Sequence, residues 1–303
     1  MSQDTPHFQH VDEQLNHQRT IHCTLGFHMK KLINQHPNKP FRWLLGIIPF
    51  FILVILYIGA SNARLAENPN DKLLPAFSSI TEAMDRLAFE PSKRSGEYVF
   101  WQDTVSSLER LGIGVGVSAL IALIVGVING TIPFVRANLS PMVTAISLVP
   151  PMAILPILFI VFGLGELSKI VLIAIGITPF LIRDMQQRVL EIPSEQIIKA
   201  QTLGANTWQI IVRVVLPQVM PRLIASVRLS LGSAWLFLIA AEAIASTDGL
   251  GYRIFLVRRY LSMDVILPYV LWITLLAFAV DYALRKLSLW MYPWFHDQTP
   301  EGA

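Results

Sequence analysis

The stretch Glu191-Ile-Pro-Ser-Glu-Gln-Ile-Ile-Lys-Ala-Gln-Thr-Leu-Gly-Ala-Asn-Thr-Trp-Gln-Ile-Ile-Val-Arg-Val-Val-Leu-Pro217 lies between two long apolar runs, and its chemistry is that of two short helices. Pro193 and Ser194 are helix start signals, and Gly204 is the residue type expected just past a helix end, where the chain turns left-handed. Asn206 or Thr207 can cap a second helix whose Trp208, Ile211 and Val215 fall on one face, with Pro217 as its stop. A plain link between two apolar runs needs no such order of caps and stops. Two readings fit the local chemistry: a rigid knob presented to a partner, or an amphipathic pair lying among lipid headgroups.

The flanking sequence decides the solvent. Of 303 residues, 53% are hydrophobic and only 15% charged, and the mean hydropathy is +0.51, too apolar for an ordinary soluble domain of this length. The net charge of +3 comes from lysines and arginines that flank apolar runs rather than from a basic patch, which argues for membrane lipid and against nucleic acid. Cys23 is the single cysteine, so no intrachain disulfide or cysteine metal cluster is possible. The first apolar run begins near Phe41, after a polar stretch longer than the basic region of a signal peptide, and it is therefore expected to stay as an anchor.

A helix needs about 20 apolar residues to cross the hydrocarbon core, and six runs qualify: about 41–60, 111–134, 139–161, 167–182, 223–245 and 265–284. This predicts an all-α integral membrane protein of about six transmembrane helices. Lys30, Lys31, Lys39 and Arg42 before the first run, and Arg285 and Lys286 after the last, place both termini in the cytoplasm. Arg253, Arg258 and Arg259 then fall outside, against the same rule. The expected organisation is a polar cytoplasmic tail over 1–40, a first membrane helix over 41–60, an external loop over 61–107, a five-helix core over 108–289 with a cytoplasmic loop at 189–217, and a cytoplasmic tail over 290–303. The histidines of the first tail, His7 to His36, do not repeat the spacing that sets two imidazoles on one helix face, and the tail reads as solvated or lying on the membrane surface.

Within the spans, Gly114, Ser118, Ala122, Gly126 and Gly130 recur every four residues, a stripe that lets another backbone approach, either inside the subunit or at a pore or dimer surface. Pro141, Pro150, Pro151 and Pro156 fall in one run. They free backbone carbonyls that are tolerated at membrane depth only beside other helices or a watery cavity, so this run is the expected path-lining helix. Ser147, Pro150, Pro151, Ser230, Ser233, Trp235 and Glu242 are the candidate path residues. Glu242 is expected to face an external gate or to pair with Arg253, and Asp281 to pair with Arg285 one turn on. Arg258 and Arg259 could attract an anionic solute or anchor the interface.

The 191–217 stretch resembles the cytoplasmic signature loop of permease subunits of binding-protein-dependent ABC importers, which reads Glu-Ala-Ala, three residues, Gly, nine residues, Ile, one residue, Leu-Pro. Ala200, Gly204, Leu216 and Pro217 match, Val214 stands for Ile, and Ile198 and Lys199 depart from the usual Glu and Ala. Pro150-Pro151-Met-Ala-Ile-Leu-Pro156, Phe162-Gly-Leu-Gly-Glu-Leu-Ser-Lys169, Ala200-Gln-Thr-Leu-Gly-Ala205, Arg228-Leu-Ser-Leu-Gly232 and Gly249-Leu-Gly-Tyr252 are similar to the nitrate, taurine and alkanesulfonate permeases. The resemblance runs from about Ser106 to Leu289.

It implies the type I ABC importer permease fold, a pair of permeases (a homodimer) around a central path, two cytoplasmic ABC ATPase subunits, and an external substrate-binding protein delivering a small polar solute. It also implies that Ser194, Glu195, Ala200, Leu203, Gly204, Leu216 and Pro217 couple the chain to the ATPase, with residues 194–204 as the coupling helix. No segment meets the phosphate-cradling spacing G-x-x-x-x-G-K-[ST], so ATP is expected on the partner and no cofactor or metal on this chain. Two rival classes remain. A membrane-embedded enzyme would need a nucleophile, base or metal set, yet the spans hold no histidine or cysteine. A secondary transporter would need inverted repeats and carboxylates near the midplane, and neither is visible.

Overall fold

A computed structural model of the chain describes residues 38–68, 71–92 and 96–296; the histidines up to His36 and Cys23 lie outside them. The chain divides into two compact units between Gly59 and Ala60. The first holds most of helix α1 (Lys39–Glu67), an apolar helix carrying Pro49 inside it. The second unit contains everything else that follows.

In the second unit, α2 (Phe77–Ala88) is a short amphipathic helix within the expected external loop. Helix α3 (Val99–Thr131) starts about three turns before the apolar run near Leu111, because its first turns carry the polar residues Asp103, Ser107 and Arg110, which are buried rather than solvated. The run around Leu139–Val161 is not one helix. It forms α4 (Pro133–Ser147) and α5 (Pro151–Phe162), bent by 93° at the break. Consecutive prolines at 150 and 151 explain the break, since neither can donate a backbone hydrogen bond and the residue before each is pushed out of the helical region. Gly163, at φ +74, ends α5.

Helix α6 (Glu166–Leu190) is the centre of the bundle, packed on α3, α4, α5 and on α9 (Leu216–Ile244). Leu172, Ile173, Ile177, Leu181 and Met185 on α6 are essentially inaccessible. The small-residue stripe meets this helix. A methyl group placed on Gly126 would lie 2.5 Å from the Met185 Cβ, and one on Gly130 2.5 Å from the Val189 Cβ, so the stripe serves packing within the subunit. Gly176 on α6 does the same for the Phe237 ring of α9.

Between α6 and α9 lie α7 (Ser194–Thr202), α8 (Thr207–Ile210) and one wide π-helical turn (Ile211–Val215). After α9 come α10 (Leu250–Arg258), α11 (Met263–Met291) and the short α12 (Pro293–His296). Among the described residues, four helical runs are long and apolar enough to cross a membrane, Leu44–Glu67, Val99–Thr131, Thr207–Ile244 and Met263–Met291, and the bent pair α4 and α5 brings the number to five if it is one broken span. Helix α6, with 25 residues and charges at both ends, is not among these runs.

Candidate functional site

The segment between α6 and α9 is built from two motifs set back to back. Helix α7 closes with Gly204 in the left-handed region at φ +82. The Gly204 N–H donates to the Gln201 carbonyl at 2.9 Å and the Ala205 N–H to the Ala200 carbonyl at 3.0 Å, the paired bonds that satisfy a helix end. Immediately afterwards, the Gln209 N–H donates to Asn206 Oδ1 at 2.8 Å, and the Asn206 N–H donates to Gln209 Oε1 at 3.0 Å. This is a reciprocal capping box, so Asn206 rather than Thr207 is the cap. Six backbone groups, four N–H and two C=O, are thus paired between residues 200 and 209, which fixes the angle between α7 and α8.

The second helix does not stop at Pro217. The chain is helical from Thr207 to Ile244, and the wide turn, in which the Leu216 N–H reaches back to the Ile211 carbonyl, lets Pro217 enter the first turn of α9 without a break. Trp208 also departs from expectation. Ile210 and Val215 are buried and Ile211 partly so, but Trp208 points outward.

The inner face of the knob is anchored by Ile197 and Ala200, which pack on the core, and by Gln218 Nε2, which donates to Gln196 Oε1 at 2.9 Å. Its outer face carries Leu203, 87% exposed, and Trp208, 71% exposed, with Ile198 beside them. Ser194, Glu195, Gly204 and Pro217 are exposed too, while Leu216 is half-buried. Exposed apolar side chains on a capped helix junction, interspersed in sequence with the exposed polar residues Lys199, Gln201, Thr202 and Gln209, are features that docking surfaces share.

At the other end of α6, about 36 Å away for 25 helical residues, the sequence reading missed a buried ionic cluster. Its centre is Arg110. The guanidinium donates through Nη1 to Glu242 Oε1 at 2.7 Å, through Nη2 to Asp248 Oδ1 at 2.6 Å and Glu166 Oε1 at 2.9 Å, and through Nε to the second Glu166 oxygen. Lys169 Nζ adds a bond to Glu166 at 2.8 Å and one to Ser246 at 2.9 Å. Glu242 is fully buried and also accepts from the Ser107 hydroxyl and the Gly251 N–H. Its cation is therefore Arg110, not Arg253; Arg253 instead pairs with Asp103 at 2.8 Å. Gly249, at φ +115, must be glycine here, since a Cβ would lie 2.5 Å from the Glu242 carboxyl and 2.7 Å from Arg110 Nη1.

Three cations, Arg110, Lys169 and Arg253, thus face four carboxylates, Asp103, Glu166, Glu242 and Asp248. The backbone N–H groups of Gly249, Leu250 and Gly251 at the start of α10 supply the remaining positive character. Burial opposes ionisation of Asp248, but the Arg110 guanidinium and the Ser106 hydroxyl outweigh it and hold its carboxyl below the usual range. The cluster joins α3, α6, α9 and α10 and is a lock on the helix ends.

The other expected path residues are not gathered into one site. Pro150 and Pro151 form the break between α4 and α5. Ser147 receives a hydrogen bond from Arg183 Nη1 at 3.1 Å. Ser230 is buried and donates to the Val227 carbonyl of its own helix, Trp235 is buried, and Ser233 is exposed on α9. Asp281 is held by Nε and Nη2 of Arg228, at 2.7 and 2.8 Å, with the expected Arg285 one turn on adding a further favourable charge.

A bundle of membrane-crossing helices with an exposed apolar knob at one end and an ionic lock at the other defines a membrane-embedded subunit. The chain belongs to the binding-protein-dependent transport system inner membrane component family, whose model matches residues 112–291; it is the permease subunit of an ABC importer, a transport subunit and not an enzyme. It is 36% identical over 194 residues to the taurine transport system permease protein TauC of Escherichia coli (strain K12), covering 64% of this chain and 70% of the relative. The bicarbonate transport system permease protein CmpB of Synechococcus elongatus is 29% identical over 259 residues, 83% of this chain and 87% of the relative. A chain from the inward-facing MetNI methionine ABC transporter superposes with a TM-score of 0.56 at 21% identity, covering 63% of this chain and 95% of that chain, a likeness of fold. The family implies ATPase and binding-protein partners and a multi-pass position in the inner membrane.

Proposed function

We propose that this permease pairs with a second copy of itself to carry a small oxyanion, of the sulfonate or carbonate type, across the inner membrane, with ATP bound only by the partner ATPases. The related permeases named for taurine and bicarbonate support an anionic solute, and nitrate belongs to the same chemical class. In this reading both termini are cytoplasmic, residues 1–40 and 290–303 are tails, residues 61–107 are external, and α7 is the coupling helix within a cytoplasmic loop at 189–217. The permease uses no cofactor or metal of its own.

The observation that carries the coupling assignment is the outward placement of Leu203 and Trp208 on a knob whose α7–α8 junction is capped on both sides. Glu195, Ser194, Ala200, Gly204, Leu216 and Pro217 shape or flank that surface. Because Leu203 is exposed, Leu203→Asp leaves the fold unaffected and places an unpaired charge in the docked interface. The variant is expected to insert normally but to lose co-purification with its ATPase partner, and to lower ATP hydrolysis in lipid by tenfold or more, on the order of 1.4 kcal/mol per decade. Wild-type association with an unchanged Leu203→Asp complex would remove α7 as the coupling element.

A further inference from the structure

We infer that the polar groove between α4 and α6 is an oxyanion-binding station on the inner part of the translocation path, with Arg183 as its cation. This rests on the reading that the solute is an oxyanion.

The groove encloses about 530 Å³ and is lined by Ser140, Thr144, Phe180, Arg183, Asp184, Gln186 and Gln187. Its two walls are helical faces. Ser140, Thr144 and Ser147 recur at intervals of four and three along α4, and Arg183 and Gln187 lie one turn apart on α6. Arg183 is exposed and forms no ion pair among the described residues; its hydrogen bond goes to the neutral Ser147 hydroxyl. Asp184 does not serve it, because that carboxylate accepts from Ser226 and lies 3.5 Å from Arg188.

The polar lining continues inward. Gln186 Nε2 points to Ser140 Oγ at 3.4 Å, and Gln186 Oε1 accepts from Asn129 Nδ2 at 2.5 Å. Asn129 is fully buried and its Oδ1 lacks a partner among the described residues. Two other grooves along the bundle are apolar, one lined by Ile121, Met142 and Ile175, the other by Leu111, Val115 and Leu231, and suit lipid or a packed helix.

An arginine, hydroxyls and carboxamides cannot face hydrocarbon without a large cost, so this wall faces water or a polar ligand. Arg183 is 17 residues along α6 from Glu166, about 26 Å from the ionic lock and close to the knob end of the helix. A planar guanidinium with free donors, flanked by hydroxyl and amide donors, matches the oxygens of a sulfonate or bicarbonate. The same chemistry could hold a lipid phosphate, and the experiment separates the two.

The test uses the full transporter, permease with ATPase and binding protein, in liposomes, and follows uptake of radiolabelled taurine and bicarbonate. Arg183→Gln is expected to lower uptake about tenfold while keeping the ATP hydrolysis stimulated by loaded binding protein within about twofold of wild type, and Arg183→Lys to recover much of the uptake. Wild-type uptake with an equally active Arg183→Gln transporter overturns the station, and loss of a co-purifying phospholipid in that variant would assign the groove to a lipid phosphate. Loss of assembly or hydrolysis together with uptake overturns it in favour of a helix anchor. No uptake of either anion by the wild type sinks the oxyanion reading itself, and the station with it.

Discussion

Arg110 shows what a single residue contributes here. Its side chain is 4% exposed and touches Glu166, Glu242 and Asp248 at once. Removing one partner of such a cluster leaves charges buried without compensation, which costs about 3–5 kcal/mol. Arg110→Met is therefore expected to lower the midpoint of thermal unfolding in detergent strongly, whereas Glu166→Gln, at a carboxylate that is 58% exposed, is expected to cost far less. Equal losses would show that the cluster is not centred on Arg110. Asp248 adds a pH dependence. Its carboxyl is held below its usual value, so its contribution to stability is complete above that value, near 4, and is lost as pH falls through the depressed one. Asp248→Asn should flatten the acid side of the stability profile, followed as the fraction remaining monodisperse. The cluster was not legible in the sequence because Arg110 meets partners 56, 132 and 138 residues away. Spacing likewise did not reveal the Asp281 fork with Arg228, which is 53 residues off.

At the scale of elements, the contact between α3 and α6 is set by missing side chains. Gly126 has no room even for a methyl group, the Ile182 carbonyl being 3.1 Å from where its carbon would sit. Gly126→Ala is expected to destabilise the subunit by about 1–3 kcal/mol by pushing the helices apart. Gly112→Ala on the same helix meets nothing within 4 Å and is expected to be neutral or slightly favourable, since alanine is the better helix former. Comparing the two in a chemical unfolding series checks the assignment, and similar effects would contradict it. The spacing of four that revealed this stripe is local information, and so are the caps of α7 and α8. The continuation of helix through Pro217 was not legible, because a wide turn is an adjustment to surrounding packing. The break at Pro150 and Pro151 was signalled by its prolines, but its 93° angle depends on what α4 and α5 each pack against.

Over the whole molecule, α6 and α9 run between the ionic lock and the knob, so in the proposed coupling reading a push on α7 would reach the opposite end through two well-packed helices. The proposed orientation is checked by thiol labelling in a Cys23→Ser background. Glu195→Cys, on the exposed face of α7, is expected to react with an impermeant maleimide only after the cells are opened, and Lys72→Cys before. The reverse pattern would invert the topology and remove the knob from the reach of a cytoplasmic ATPase.

By itself the sequence determined the solvent, the helices and the knob. Those rest on apolar run length, small-residue spacing and capping residues, all of which act within a few turns of chain. Only the tertiary structure decided which charges are partners, which face of α8 is free and where an arginine without a carboxylate lies beside a wall of hydroxyls. These depend on distances between residues far apart in sequence, fixed by how closely α3, α4 and α9 approach α6.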